Sequence, residues 1–128
     1  MNTHKRLKKK IKGNHPTCIV FIKSTQNNIL LYATTPAYKT IAWTSAGSVG
    51  FKGFKKSTPF AAQEAANALS TKLKDLGVKT ISFVLNGINS NRDAAITKFK
   101  ANGFLLNAIM ERTGYAFGGC RPPGERSV

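Results

Sequence analysis

The chain has 128 residues, a length that suits one folded domain and is too short for two. It carries 20 lysines and arginines against 5 acidic residues, and the formal net charge of +15 indicates a polyanionic partner because solubility alone needs far less. No apolar run approaches the length of a membrane-spanning helix, and no basic segment has an apolar face, so membrane binding is not indicated. Cys18 and Cys120 are far apart in sequence and belong to no C-x-x-C pattern, so neither a zinc site nor a disulfide framework is indicated.

The chain begins with a basic segment, residues 1–16, that includes Lys8, Lys9 and Lys10. Like-charge blocks of this kind are commonly flexible arms, and we expect this arm to contact a polyanion. A merely solvated lysine-rich segment would have the same composition. The segment has neither a secretory nor a transit signal, so we expect the protein to work where it is made.

The first half of the chain has strand patterns. Runs rich in β-branched residues, separated by turn residues, predict three strands at 18–22, 29–33 and 39–44. The first turn contains Asn27 and Asn28, and the short connections predict an antiparallel meander. Trp43 lies within an apolar strand, so we expect its side chain in the core.

Two helices alternate with two more strands in the second half. Thr58 is a good N-cap and Pro59 a good first residue, which together predict a helix that Gly77 ends. A strand at 79–85, a helix at about 92–102 and a strand at 104–110 follow. The order β-β-β-α-β-α-β predicts an α/β fold of the ribonuclease H-like type, a mixed five-stranded sheet with helices packed on it.

This fold class raises a nuclease hypothesis, which the acidic residues do not support. Two-metal nucleases need several carboxylates around the ions. No aspartate or glutamate precedes Glu64, so the first three strands supply no ligand of that kind. The serines and threonines also lack a histidine or acid at motif spacing. The sequence therefore predicts a protein that is not an enzyme and needs no metal or other cofactor.

The loop at 45–59 joins a strand to a helix and is rich in glycine, lysine and hydroxyl groups, a composition suited to holding phosphate. It nearly matches the nucleotide-binding pattern G-x-x-x-x-G-K-[ST], because Gly50, Lys56 and Ser57 have the required spacing. Lys55 replaces the second glycine, however, and no aspartate follows the next strand to help hold Mg²⁺. A phosphate-handling enzyme with a degenerate P-loop is therefore a weaker alternative than a nucleic-acid-binding protein.

Two phenylalanines alternate with lysines in the same loop. Phe51 and Phe54 lie beside Lys52 and Lys55, where burial of an apolar side chain is harder than in a strand. Stacking on unpaired bases is one interpretation of this pattern. Packing under the loop is the other, and the sequence does not decide between them.

Four short sequence motifs resemble those of the small-subunit ribosomal protein eleven family in their order and spacing. They are W-T-S-A-G at 43–47, G-F-K-G at 50–53, K-S-T-P-F-A-A-Q at 56–63 and G-C-R-P-P at 119–123. The resemblance runs from about Thr17 to Val128. It implies a non-enzymatic structural protein that binds ribosomal RNA in the platform of the small subunit, near the messenger RNA exit site and beside other platform proteins. It also implies the ribonuclease H-like fold.

The resemblance also places the contacts with RNA. It implies a basic glycine loop and an asparagine turn, and it implies that the extended Arg-Pro-Pro tail lies along RNA. The residues so assigned are Asn27, Asn28, Gly50, Lys52, Gly53, Lys55, Lys56, Ser57, Thr58, Arg121 and Pro122. We add the arm lysines, the small Cys120 and the basic Arg126 of the tail.

The chain departs from the family pattern in two places. Where the family alternates glycine and proline before an arginine, this chain has G-I-N-S-N-R at 87–92, and we expect RNA contact by Asn89, Asn91 and Arg92 with altered detail. The C-terminus is also less basic than in the family, and the N-terminal arm compensates in charge.

The predicted organisation is a basic arm at 1–16, an α/β RNA-binding domain at 17–112 and an RNA-contacting tail at 113–128. A free RNA-binding factor outside the ribosome is the main alternative function. The abundance of Lys, Asn, Ile and Phe is typical of an AT-rich genome, so we expect a protein made inside an organelle, in the first place a mitochondrion. A plastid or a bacterial cytoplasm would have the same signature.

Overall fold

The computed structural model describes residues 16–114 and 117–125. The predicted contacts of Lys8, Lys9, Lys10 and Arg126 lie outside these residues. The described chain has five strands and two α-helices in the predicted order. The strands are β1 (Thr17–Ser24), β2 (Ile29–Thr34), β3 (Thr40–Ser45), β4 (Thr80–Asn86) and β5 (Leu105–Glu111), and the helices are α1 (Pro59–Asp75) and α2 (Ser90–Ala101).

The strands form one mixed sheet with the order β3-β2-β1-β4-β5. β2 runs antiparallel to both β1 and β3, whereas β4 is parallel to both β1 and β5. Four strands therefore point the same way, and only β2 points the other way. The predicted α/β class, the mixed five-stranded sheet and the parallel second half are confirmed.

Both helices pack on one face of the sheet and against each other. Alternate residues of β1, including Val20 and Ile22, are fully buried beneath them, which is the period of two expected for a strand with one covered face. The helix α1 presents small residues to the sheet, and Thr44 Oγ1 donates a hydrogen bond to the Ala65 carbonyl at 3.0 Å. Because alanines leave the backbones room to approach, the helix lies close to the strands.

Three aromatic rings join the second half of the sheet to α2. Phe99 of α2 is fully buried, with its ring centroid 5.4 Å from that of Phe83 and 6.1 Å from that of Phe104. Tilted and edge-to-face contacts at these distances are favourable beyond the area they bury. This cluster ties the C-terminal part of α2 to β4 and to the start of the last strand.

The opposite face of the sheet is not covered by either helix. Phe21 and Tyr32 stack there across β1 and β2, with ring centroids 4.8 Å apart, and Trp43 continues the row on β3. Trp43 is 59% exposed, so the prediction that it lies in the core was wrong. The strand pattern was read correctly, but alternate residues of an edge strand with one covered face point to solvent.

Candidate RNA-binding surface

Strand direction brings most of the predicted site segments to one edge of the sheet. Since β1, β3, β4 and β5 all point the same way, their carboxyl ends lie along the same edge, which we call the carboxyl edge. The segments that leave these ends are the turn at 25–28, the loop at 46–58, the loop at 87–89 and the chain from Arg112 onward. Ligands of open α/β sheets commonly bind outside the carboxyl ends of the strands.

Hydrogen bonds between the segments hold this edge together. Asn89 Nδ2 donates to the Thr25 carbonyl at 3.0 Å, which joins the loop after β4 to the turn after β1. The Gly87 N–H donates to Thr113 Oγ1 at 3.1 Å, so the start of the C-terminal segment is fixed at the same place. Asn91 Nδ2 donates to the Ser57 carbonyl and so joins the loop at 46–58 as well, which makes the carboxyl edge a single connected surface.

The loop at 46–58, which we call the basic loop, is ordered by hydroxyl groups within it and at its ends. At its start, Ser48 Oγ donates to the Ser45 carbonyl at 2.8 Å and accepts from the Ser45 N–H at the same distance. At its end, residues Gly53–Ser57 form a short 3₁₀ helix, which the sequence did not predict. Lys52 and Lys55 are exposed on this loop, and Lys56 is half-buried. Ordered backbone and free ammonium groups together suit contact with a phosphate backbone.

Thr58 connects this loop to α1. Its hydroxyl donates to the Lys55 carbonyl at 2.7 Å and accepts from the Ala61 N–H at 3.3 Å, so one side chain closes the loop and caps the helix. The predicted N-cap and the Pro59 start are confirmed. Both bonds of the hydroxyl are local, and the Thr58 side chain is half-buried.

The variant Thr58→Ala should be less stable than the wild type by about 1 kcal/mol, the usual cost of removing an N-cap hydroxyl. Urea denaturation followed by circular dichroism measures the change. Thr58→Ser keeps the oxygen, and because serine caps helices at least as well as threonine, this variant should be about as stable as the wild type. A serine variant as unstable as the alanine variant would show that the methyl group, not the cap, stabilises this junction.

Asn91 has a structural role that the sequence prediction missed. We expected it to contact RNA, but its side chain is only 1% exposed and its Nδ2 donates to the Ser57 carbonyl at 2.9 Å. It therefore ties the start of α2 to the basic loop from the inside, and in this structure its side chain cannot reach a ligand. Asn89, the preceding N-cap of α2, accepts from the Asn91 N–H with its Oδ1.

Arg92 holds the same region together by an ion pair. Its Nη1 donates to the Gly87 carbonyl at 3.1 Å and lies 2.9 Å from both carboxylate oxygens of Glu111 at the end of β5. Thr113 Oγ1 donates to the same carboxylate. The hydrogen bonds from Thr113 and Arg92 lower the pKa of the Glu111 carboxyl below its ordinary value. The Arg92 charge is thus already matched by one of the few acidic residues of the chain.

This ion pair predicts a small acid-dependent loss of stability. A carboxyl whose pKa is lower in the folded state stabilises the fold above its unfolded-state pKa, and the contribution is lost as the pH falls through the folded-state pKa. The free energy of unfolding of the wild type relative to Glu111→Gln should therefore be constant above about pH 5.5 and decrease below the ordinary value of 4.5. Urea midpoints at several pH values measure it, and a difference that does not change with pH would contradict the assignment.

The remaining predicted residues differ in how they relate to the edge. Asn27 is exposed, whereas Asn28 is half-buried and its Oδ1 accepts from the Ile29 N–H at 2.9 Å. Cys120, Arg121 and Pro122 are all exposed in a segment without helix or strand, and within the described residues no hydrogen bond joins them to the carboxyl edge. Cys18 differs from Cys120, because burial raises the pKa of its thiol to about 11.

Neither a metal centre nor a membrane helix is found in the described parts of the chain. Residues 16–114 and 117–125 contain no group of three His, Cys, Asp or Glu side chains that could hold an ion. No helix in those ranges is both long enough and apolar enough to cross a bilayer. Ser57, which the P-loop pattern would place on Mg²⁺, donates its hydroxyl to the Phe54 carbonyl at 2.6 Å.

Comparison with known proteins decides the family. The model of the family "Ribosomal protein S11" matches residues 18–127, which is nearly the whole chain. The chain belongs to the ribosomal protein S11 family. It is also 37% identical over 128 residues to the small ribosomal subunit protein uS11 of Hamiltonella defensa subsp. Acyrthosiphon pisum (strain 5AT), an alignment that covers 100% of this chain and 96% of that protein.

Family membership confirms the resemblance inferred from the four sequence motifs. This S11 protein is a structural constituent of the small ribosomal subunit and not an enzyme, and its partners are ribosomal RNA and ribosomal proteins. The alternative of a degenerate P-loop enzyme is thereby excluded. The carboxyl edge is accordingly a candidate surface for RNA rather than for a nucleotide.

Proposed function

We propose that the carboxyl edge is the surface with which this S11 protein binds small-subunit ribosomal RNA. One observation supports this above all: four separate chain segments meet at that edge, and the exposed lysines of the basic loop lie on one of them. Lys52, Lys55 and Lys56 contact phosphates, while the glycines Gly50 and Gly53 and the hydroxyls of Ser57 and Thr58 shape the backbone that carries them.

The other segments add to this interface. The asparagine turn, through Asn27 and Asn28, and the loop with Asn89 extend it along the edge, and Arg92 positions that loop. The domain at 17–112 holds the edge rigid, and the arm at 1–16 and the tail at 113–128 reach further along the RNA. The arm and tail residues assigned to RNA are Lys8, Lys9, Lys10, Cys120, Arg121, Pro122 and Arg126.

We infer that the protein occupies the platform of the small subunit, beside other platform proteins and near messenger RNA in the exit region, as the family resemblance implies. A crosslinking experiment tests the surface and its position together. A photoreactive residue replaces Lys55, and the crosslinked nucleotides are mapped in purified small subunits. Crosslinks to platform RNA are expected. The same residue in place of Lys100, which is exposed at the far end of α2, is the control and should crosslink elsewhere or not at all.

Sedimentation separates a ribosomal protein from a free RNA-binding factor. The tagged full-length chain should co-migrate with small subunits in a sucrose gradient and remain there in moderate salt. A chain that binds RNA in solution but migrates only at the top of the gradient would support the free factor instead.

We infer further that the ribosome concerned is organellar, most simply mitochondrial. The Lys, Asn, Ile and Phe content supports an AT-rich genome, although the matched relative is bacterial and a bacterial cytoplasm or a plastid fits the same composition. The location of the coding sequence, read from separate organellar and chromosomal DNA fractions, tests this assignment.

A further inference from the structure

The basic loop carries a phenylalanine that the fold does not use. Phe54 is 80% exposed, although a side chain of this size normally contributes to a core or an interface. Lys52 and Lys55 are exposed close to it in sequence. A phenylalanine ring that is exposed to water gains nothing in the folded protein alone.

The neighbouring phenylalanines answer the question that the sequence left open. Phe51 is partly buried and packs against the core, and its ring makes an edge-to-face contact with Phe60 at 5.8 Å between centroids. Packing under the loop is therefore the role of Phe51. Phe54 lies three residues further on and is not packed in this way.

The backbone that carries Phe54 is held firmly. Gly53, the first residue of the 3₁₀ helix, has φ +61°, a left-handed conformation that glycine adopts without steric cost. The Phe54 carbonyl accepts from Ser57 Oγ at 2.6 Å, and the following turn is closed by Thr58 Oγ1 at the Lys55 carbonyl. The ring thus projects from an ordered 3₁₀ turn, so little backbone entropy is lost when it meets a ligand.

We propose that Phe54 stacks on an unpaired base of the bound RNA while Lys52 and Lys55 contact the phosphates on either side of that base. This inference rests on the proposed function of the carboxyl edge and identifies the kind of RNA that the loop recognises. In a duplex the faces of the bases are covered by their neighbours, whereas an unpaired base offers a free face to an aromatic ring. A protein partner is disfavoured because lysine is depleted in the centre of protein interfaces.

Binding of a single-stranded RNA and of the matching duplex tests this proposal. The probes are a 12-nucleotide RNA of mixed sequence and the same RNA annealed to its complement, each titrated with the full-length protein at the same salt concentration. Phe54→Leu should weaken single-strand binding by about 5- to 150-fold, which corresponds to about 1–3 kcal/mol for one base–aromatic stack. Duplex binding should change less than about twofold, and Phe54→Trp, which keeps a ring, should bind the single strand at least as well as the wild type.

Tyr38→Leu is the matched control. Tyr38 is 70% exposed, but it lies in the turn between β2 and β3 at the edge opposite the carboxyl edge. Its loss should not alter the binding of either RNA. Because Phe54→Leu removes no charge, the dependence of its affinity on salt should match that of the wild type.

A direct optical measurement complements the affinities. The chain has one tryptophan, Trp43, so the double variant Trp43→Phe/Phe54→Trp places the only indole in the basic loop. Its fluorescence should be quenched by the single strand and not by the duplex. Unchanged single-strand affinity in Phe54→Leu, or equal losses for both RNAs, would overturn the stacking proposal. A wild-type protein that bound neither probe and also failed to bind ribosomal RNA would contradict the proposed function itself. That result differs from a failure of the stacking proposal, in which the wild type still binds RNA.

Discussion

The variant with Lys52, Lys55 and Lys56 all replaced by alanine should bind small-subunit ribosomal RNA more weakly and with a lower salt dependence. Each lost phosphate contact lowers the slope of log affinity against log salt by up to about 0.9, so three contacts lower it by up to about 2.7. The physical reason is that each neutralised phosphate releases a counterion, and the three ammonium groups lie on one ordered loop. Filter binding across a series of salt concentrations measures the slope.

A second triple variant separates this effect from a change in net charge. The control uses three exposed lysines that lie toward the edge opposite the carboxyl edge. Lys39 directly precedes β3, Lys79 directly precedes β4, and Lys100 lies at the end of α2. Their replacement by alanine removes the same three charges from the +15 of the chain. The slope should then stay close to that of the wild type. Equal slopes in the two triple variants would mean that the charge acts diffusely and that the basic loop is not the site.

The strands and helices could be predicted because their signals are local. The period of two in β1 and the Thr58-Pro59 helix start depend on residues adjacent in sequence, and the structure places both within one or two residues of the prediction. The ends of α2 and β5 shifted by a similar amount. The 3₁₀ helix in the basic loop was missed because it is only five residues long, too short for a periodic pattern, and begins at a glycine with positive φ.

The burial of single side chains could not be predicted in the same way. Trp43 is exposed because neither helix covers its face of the sheet, and Asn91 is buried because α2 lies against the basic loop. Both facts depend on contacts between segments far apart in sequence. The ion pair of Arg92 with Glu111 is of the same kind, since it joins a helix to a strand 19 residues away.

The meeting of the site segments at one edge of the sheet could be predicted in part from the sequence. An antiparallel meander followed by two helical crossovers between parallel strands makes β1, β3, β4 and β5 point the same way. The carboxyl edge therefore follows from the predicted topology. The hydrogen bonds that join them, such as that from Asn89 to Thr25, required the structure.

Replacing Gly87 with alanine should be among the most destabilising single changes at the carboxyl edge. Gly87 has φ +96°, and a Cβ built on it would lie 2.0 Å from the Ser24 carbonyl oxygen at the end of β1. Left-handed backbone costs a side chain about 1–2 kcal/mol, and forced overpacking adds about 1–3 kcal/mol. We expect a total loss of about 2–5 kcal/mol, a large part of the stability of a small domain. The urea midpoint measures it.

Gly103→Ala distinguishes the two causes, because Gly103 has φ +89° but a Cβ there meets nothing within 4 Å. This control should lose only the backbone part, about 1–2 kcal/mol. The additional loss of stability in Gly87→Ala then reports how closely the loop after β4 approaches β1.

Gly87→Ala should also loosen the carboxyl edge, because the Gly87 N–H donates to Thr113 and the Gly87 carbonyl accepts from Arg92. Its affinity for ribosomal RNA should fall under conditions where it is still folded, whereas that of Gly103→Ala should not. Equal stabilities of the two variants would refute the close approach, and unchanged RNA affinity in a folded Gly87→Ala would show that binding does not need this edge to be rigid.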